Sequence, residues 1–576
     1  MKTFVQSSNP GSSHEAQWLA ALLTHPAVAE VACGRRRTRS GEEREVAYVQ
    51  PVARCDSLML MQHLRAFRPA LTRLPDHVTL VSSIPRDSHG AVDFGALARI
   101  EVLDDALAQA VEPAICQAAG AAADQVAAVV DQRQLPRETL DIRRLLPPAT
   151  PRTGQSRSPG NRPVDSRVAL LQGGPLVLPH RTPMSLAGLL LRAAEDCGDT
   201  RITHIADDGS SHVQTYRQLL ADARRVLGGL QAVGLRPGQQ VLLQLEQTRQ
   251  FITGFWACIL GGFVPVPLSI PQSYTTDNAI IMRAKHAWSL LDAPPILISD
   301  RLVQTWTDLG GSLGMDGLRV IGVDAMRESA PSESMHESDP DSLTLLLLTS
   351  GSTGVPKAVM HTHRTLIARC AAACQVEGHE RDSVSVNWMP LDHVGGIVMW
   401  HLRDVFAGST QVLAPTNWVL ENPLRWLDLL SDHRATSTWS PNFGYALVNE
   451  RADEIATGRW DLRALRFVLN GGEMIVAATA RRFLRLLAPH GLRPDAMRPV
   501  WGMSETSSGV TCDFSFSLES TSDEDTAVCV GTALPGFEAR IVDENDRPLR
   551  VGQVGRLQVR GASVTLGYFR NAQRNA

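Results

Sequence analysis

Apolar positions along the chain follow two rhythms, a recurrence every three to four residues and short continuous runs, and the two alternate over most of its length. Leu219, Leu220, Ala223, Val226, Leu227 and Leu230 share one helical face, which Gly234 and the pair Pro237-Gly238 close before an apolar strand over 241–245. Helix and strand keep exchanging as far as Phe569, which predicts an α/β class with a large domain of layered, mainly parallel sheets and helices. Nearer the start, candidate strands at 27–32, 45–49 and 77–81 accompany an amphipathic segment at 58–67, the pattern of a small α/β unit. A helical pattern follows over 103–130. From 147 to 163 the chain reads Pro-Pro-Ala-Thr-Pro-Arg-Thr-Gly-Gln-Ser-Arg-Ser-Pro-Gly-Asn-Arg-Pro, too poor in apolar side chains to fold alone. The expected division is therefore a small α/β unit over 1–100, a helical segment over 101–146, a Pro/Gly/Ser/Arg linker over 147–180 and a large α/β core over 181–576. No internal repeat is found.

Composition narrows the classes. A chain of 576 residues has room for about three to five folding units, and 44% hydrophobic with 20% charged residues is ordinary for a globular protein. The formal charge of −4, from 56 Lys plus Arg against 60 Asp plus Glu, offers no bulk field for nucleic acid or an anionic membrane, so neither is expected as a partner. The first ten residues turn polar too soon for a secretory signal. The most apolar stretch, 256–270, is short and interrupted by Gly261, Gly262, Pro265 and Pro267, so it reads as buried core rather than a membrane span. Nine cysteines without a Cys-x-x-Cys pair imply reduced thiols and a cytoplasmic location, and Cys370 with Cys374 read as two buried small residues.

The sharpest local signal is the run 343–357, Leu-Thr-Leu-Leu-Leu-Leu-Thr-Ser-Gly-Ser-Thr-Gly-Val-Pro-Lys, an apolar strand that feeds a loop of glycines, hydroxyls and a lysine. Such a loop suits a polyphosphate. Gly351 and Gly354 let backbone N–H groups approach the oxygens, Thr349, Ser350, Ser352 and Thr353 can donate hydrogen bonds, and Lys357 adds a cation. The Walker spacing fails, because Lys357 comes three residues after Gly354. A flexible surface turn is the bland alternative.

The loop resembles the signature of the adenylate-forming (AMP-binding) superfamily. Five further segments agree in order: Thr215-Tyr216 with the helix after it; the apolar run 256–267; Asn470-Gly471-Gly472-Glu473; Trp501-Gly502-Met503-Ser504-Glu505-Thr506; and 555–561. The wording of Pro390-Leu391-Asp392-His393-Val394-Gly395-Gly396 and Ser440-Pro441-Asn442-Phe443 is most similar to loading-type adenylation domains of hybrid polyketide/peptide synthetases. The resemblance covers about residues 185–570. It implies an adenylation core that uses ATP and Mg2+ to join a carboxylic acid to AMP, releases pyrophosphate and passes the acyl group to phosphopantetheine on a partner acyl or peptidyl carrier domain. Two anions must meet in that reaction, so fixed donors and a metal have to screen them.

On the same resemblance, Glu505 would hold the metal, Thr506 would bond the α-phosphate, and Thr349 and Lys357 would act on the triphosphate. Trp501, Gly502, Met503 and Ser504, with Gly471, Gly472 and Glu473, would form the nucleotide slot. His393 matches a position beside the substrate carboxylate, although a satisfied structural histidine fits equally well. The acid pocket would draw on Trp388, Asp392, His393, Val394, Gly395, Trp400, Trp439, Asn442 and Phe443. Val394 falls where domains selective for α-amino acids carry an amine-binding aspartate, so a non-amino acid is expected; Asp392 lies two residues away and keeps the amino acid alternative open. Trp388, Trp400, Trp418 and Trp439 read first as core. Should several converge with Phe443 or Tyr445 on a cavity, they could cage a cationic ammonium or sulfonium acid.

Two departures from the family pattern stand out. Residues 25–31 and 84–93 resemble the small C-terminal subdomain of adenylation enzymes, yet they precede the core, and Ala91 replaces the usual lysine; the unit over 1–100 reads as a degenerate, structural copy. The chain also stops before the family's Thr-Gly-Asp block, so a fragment that adenylates weakly alone is expected. An acyl-CoA or fatty acyl-AMP ligase and a non-catalytic pseudo-adenylation scaffold are the alternatives.

Overall fold

The structure is a computed structural model that describes residues 13–37, 43–51, 57–66, 73–81, 84–86, 92–94, 97, 167–349 and 357–575. The chain divides into two compact units, Met1–Ser158 and Pro159–Ala576. The expected helical segment over 101–146 and the start of the expected linker, to 166, lie outside the described residues.

In the first unit, helix Ser13–Thr24 leads into an antiparallel pair, Val28–Arg37 with Glu43–Pro51, and helix Ser57–Ala66 returns the chain to strand His77–Leu80, parallel to the second strand. Trp18, Leu22, Leu60 and Leu64 from the helices meet Val31, Cys33, Ala47 and Val49 from the sheet in one buried cluster. The two helices thus cover one face of a three-stranded sheet, as the alternation in the sequence requires.

The second unit holds a nine-stranded sheet in the order Thr532–Ala533, Ser508–Cys512, Met497–Met503, Phe467–Gly471, Ser437–Ser440, Val384–Asn387, Thr410–Leu413, Arg201–Ile205, Ser211–Thr215. The central strands are parallel and antiparallel strands close both edges. A four-stranded parallel sheet runs Val320–Gly322, Ile296–Ile298, Gln240–Gln244, Val264–Pro267. Its last three strands are almost wholly buried and carry continuous apolar runs, the mark of a sheet covered on both faces. Helix Thr248–Leu260, part of the most apolar stretch, is buried all round from Gln250 onward. Among the described residues no helix is long and apolar enough to cross a membrane.

The last part of the expected linker is ordered. Leu170–Gln172 forms a strand against Phe537–Val542, which also pairs with Arg556–Gly561. Its side chains are exposed, so main-chain hydrogen bonds hold it, a contribution that a count of apolar residues does not register.

The topology gathers the motifs. Strands Val384–Asn387, Ser437–Ser440, Phe467–Gly471 and Met497–Met503 are consecutive parallel neighbours. Their carboxyl ends carry, in turn, the segment Trp388 to Gly395, the Pro441-Asn442-Phe443 turn, the Gly471-Gly472-Glu473 turn and Ser504-Glu505-Thr506. Ligands bind at that edge of open α/β sheets.

Candidate active site

The strand before the phosphate-type loop, Leu343–Thr349, is buried through Leu345, Leu346 and Leu347 and pairs antiparallel with Lys357–Thr362. The register sets Thr349 opposite Lys357, so the root of the loop is fixed on both sides. Ser350, Gly351, Ser352, Thr353 and Gly354 lie outside the described residues.

Lys357 and Glu505, separated by almost 150 positions in sequence, meet through a residue that sequence reading missed. The Lys357 ammonium sits 5.1 Å from the centre of the Tyr568 ring. The Tyr568 hydroxyl donates to Glu505 Oε1 at 2.7 Å. Burial, then the Glu505 carboxylate, push this phenol up to about 12, so it remains a donor at neutral pH. The only hint in the sequence is the Gly567-Tyr568-Phe569 turn that closes the strand and helix pattern.

The turn after Glu505 is held from several sides. Ser507 and Ser508 follow it with φ of 55° and 115°, conformations uncommon for residues with a side chain. The Ser507 hydroxyl donates to the Ser563 carbonyl at 2.8 Å, and His361 Nδ1 stands 3.1 Å from the Ser507 Oγ. Arg369, fully buried, donates from Nε to Ser508 Oγ at 2.8 Å and reaches Met399 Sδ with another nitrogen at 2.7 Å. Thr506 is turned inward. Its hydroxyl is buried, 2.9 Å from the Met503 carbonyl and 2.7 Å from that of Ser508, and it accepts the Met503 N–H at 3.1 Å. It locks the turn, whereas the Ser504 hydroxyl has no partner among the described residues.

On the neighbouring strand ends, Gly472 takes φ of 90°, which a side chain would strain. Glu473 Oε1 accepts the Phe443 N–H at 2.7 Å, and Asn442 Oδ1 accepts from Val476 N–H at 3.1 Å, so the two turns are tied together. Trp501 is half-buried against the interior and Met503 is exposed.

The expected acid pocket is built on a π-helical stretch, Gly395–Leu402, a form often found at functional sites and invisible to apolar periodicity. His393 precedes it, with an exposed edge and Nδ1 accepting the Gly395 N–H at 3.3 Å, which leaves the proton on Nε2 of the neutral ring. Desolvation lowers its pKa from the ordinary histidine value, while Asp392 pulls the other way. Asp392 is itself engaged: Ser269 donates to its Oδ2 at 2.5 Å. Val394 is buried.

The tryptophans do not converge into a cage. Trp400 stacks on Trp439 with centroids 5.7 Å apart and has the Arg403 guanidinium 4.2 Å over its ring. Trp388 packs on Trp426 and, edge-on, on Phe443. Tyr445 gives its hydroxyl hydrogen to the Leu469 carbonyl at 2.5 Å, and Trp418 lies under Arg425. These rings spend their faces on one another and on the chain's own arginines.

Beneath the π-helix lies a buried ion network. Arg403 reaches Asp404 at 2.8 Å and Glu377 at 2.7 Å, and His379 stands 2.9 Å from Asp404. Burial alone would raise the Asp404 carboxyl, but Arg403, His379 and Ser385 outweigh it and hold it below the usual range.

Among the described residues no group of three or more His, Cys, Asp or Glu could by itself hold a metal. Glu505 offers one oxygen to Tyr568, and the other has no partner among the described residues. A single hard oxygen donor fits Mg2+, which is commonly held by one or two carboxylates with substrate phosphates and water.

The chain belongs to the AMP-binding enzyme family, whose model matches residues 190–569. Among its relatives, the nonribosomal peptide synthetase apvA of Aspergillus terreus is 32% identical over 399 residues, 67% of this chain and 42% of that protein. The chain thus spans less than half the length of such curated relatives. Among solved structures, an adenylation domain of a keto acid-selecting NRPS module bound to keto acyl adenylate is 37% identical, with a TM-score of 0.67, covering 71% of this chain and 77% of that one. A multidomain structure of adenylation, ketoreductase and pseudo Asub domains from a keto acid-selecting NRPS module is 34% identical, also with a TM-score of 0.67, covering 82% of this chain and 40% of that one. The fold and enzyme class expected from the motifs are those observed: an α/β adenylation core of the ATP-dependent, acid-activating ligases.

Proposed function

We propose that the core activates a 2-oxo or other non-amino carboxylic acid as its acyl adenylate and hands it to the phosphopantetheine thiol of a carrier domain. A carboxylate oxygen attacks the α-phosphorus of ATP, the bond to the β-phosphate oxygen breaks, and pyrophosphate leaves. The thiol then displaces AMP. Thr349 and Lys357 at the root of the loop hold the triphosphate, and Gly471 to Glu473 with Trp501 to Ser504 seat the nucleoside. Glu505 would hold Mg2+, which supplies positive charge against the phosphates when bound. His393, whose Nε2–H has no partner among the described residues, can donate to the acid.

One observation carries this reading: Lys357 and Glu505 are brought together by Tyr568 at the carboxyl edge of four parallel strands. The choice of a non-amino acid rests on Val394 and on an Asp392 already bound by Ser269, and the neighbour that binds a keto acyl adenylate supports it. A cationic acid draws less support, since Arg403 already lies over Trp400. The small N-terminal unit is read as structural; the wider coverage of the neighbour with a pseudo Asub, 82% against 71%, favours that.

Pyrophosphate exchange with matched 2-oxo, 2-amino and trimethylammonio acids tests the reading. Preference for the 2-oxo acid by about tenfold or more, roughly 1.4 kcal/mol, is expected. Equal or better exchange with the 2-amino acid would overturn it. Transfer to a phosphopantetheinylated carrier but not to coenzyme A separates it from an acyl-CoA ligase.

A further inference from the structure

Glu505 is not a free carboxylate at the edge of the cleft. Its Oε1 is taken by the Tyr568 hydroxyl at 2.7 Å, and its main-chain oxygen accepts the Thr565 N–H at 2.8 Å. Tyr568 is fixed in turn. Its N–H donates to Asn575 Oδ1 at 2.8 Å and its carbonyl accepts from Asn575 Nδ2 at 2.8 Å. On either side, Met360 N–H donates to the Gly567 carbonyl at 3.0 Å and Phe569 N–H to that of Ala358 at 2.8 Å. Segment 565–569 is therefore laced to the strand that begins with Lys357, and the Lys357 ammonium lies over the same phenol.

We propose that Tyr568 is a positioning residue for the metal ligand: its hydroxyl holds Glu505 Oε1, leaves Oε2 as the single oxygen offered to the cation, and couples that orientation to Lys357 at the root of the phosphate loop. The proposal rests on the assignment of Glu505 to Mg2+ made above. An unrestrained glutamate loses side-chain entropy when it is ordered by a cation, and a hydrogen bond already in place removes much of that loss. Mg2+ also demands narrow octahedral geometry, so a ligand oxygen that points correctly beforehand binds it more tightly. Removal of partners that orient metal ligands typically weakens metal binding by about 10- to 100-fold. Lys357 over the ring adds a second tie, because the loop cannot move its cation without uncovering the phenol that aims the carboxylate.

The test reads metal binding directly. For the wild type, Tyr568→Phe, Glu505→Gln and the double variant, the Mg2+ concentration that gives half of the ATP-induced rise in melting temperature is measured, alongside the rise caused by ATP without metal. Tyr568→Phe is expected to raise that Mg2+ midpoint about tenfold and to leave the metal-free response unchanged. Glu505→Gln raises it at least as much, and adding Tyr568→Phe to it causes no further change, since the phenol acts through the carboxylate. A midpoint within about twofold of wild type for Tyr568→Phe, with Glu505→Gln strongly shifted, overturns the proposal and leaves the assignment of Glu505 standing. No shift for Glu505→Gln overturns that assignment itself. Should Tyr568→Phe melt too low for the assay, Asn575→Ala frees the Tyr568 backbone while keeping the phenol: a severalfold rise in the midpoint is expected, and none refutes the proposal.

Discussion

Gly395→Ala tests whether the start of the π-helix borders the acid. A Cβ built on Gly395 falls 2.1 Å from Trp439 Cη2 and 2.5 Å from Cζ2, and ordinary contact begins near 3.4 Å. The indole must therefore retreat by about 1.3 Å, the difference between 3.4 and 2.1 Å. It has little freedom to do so. Its Nε1 donates to Asn387 Oδ1 at 2.8 Å, and its ring stacks on Trp400, which Arg403 covers. Overpacking of this kind costs about 1–3 kcal/mol, and loss of the buried hydrogen bond adds about 1 kcal/mol. A total of about 2–4 kcal/mol lowers the melting temperature of a domain of roughly 400 residues by about 2–5 °C. With the indole displaced among the residues proposed to line the acid site, the KM for the acid in pyrophosphate exchange rises about tenfold or more, while the KM for ATP stays within about twofold. A lower melting temperature with an unchanged KM for the acid would show that Gly395 belongs to the core alone. No change in either would refute the geometry.

Three further outcomes follow from the buried charges and the cleft. Asp404→Ala strands Arg403 with Glu377 alone and should cost about 3–5 kcal/mol, read as a lower urea midpoint; a shift below about 1 kcal/mol would mean that the network is solvated. His204 and His361 are lowered to about 3, and His363 and His401 to about 4, by burial. They are neutral in the fold and take up protons below about 6.5 when unfolded, so each removes up to about 1.4 kcal/mol of stability per pH unit between about 6.5 and 4. The melting temperature should drop by about 5 °C or more from pH 7.5 to 5.5, and a flat profile would contradict their burial. Glu505→Gln should raise the Mg2+ concentration needed for ATP binding about tenfold or more while leaving the metal-free melting temperature within about 2 °C, since its contacts lie at the cleft rather than the core.

Much of the site was legible because its parts are dictated by backbone chemistry. An apolar strand running into glycines and hydroxyls, a Gly-Gly turn, and a short Ser-Glu-Thr segment after a strand each constrain the main chain locally, and the parallel sheet then aligns their ends. What escaped detection depends on contacts between distant segments. Tyr568 reaches Glu505 only because 565–569 pairs beside 357–362. Arg369 is a charged residue with no sequence sign of complete burial, and only the fold supplies Ser508 and Met399 as its partners. The place of Thr506 next to Glu505 suggests the phosphate, but the tight turn that brings its hydroxyl to the Met503 and Ser508 carbonyls is not visible in the sequence. The π-helix hid for another reason, since Gly395 to Leu402 is buried on every side and shows no period at all.

The single-site claim, that the Thr349–Lys357 hairpin and Glu505 grip one nucleotide, is tested most directly by a crystal structure with a non-hydrolysable ATP analogue and Mn2+ in place of Mg2+, located by its anomalous scattering. The manganese peak should lie about 2.1 Å from Glu505 Oε2, with the triphosphate between it and Lys357. A nucleotide bound away from the carboxyl ends of the four parallel strands, or a metal held by other side chains with Glu505 still turned to Tyr568 alone, would contradict it.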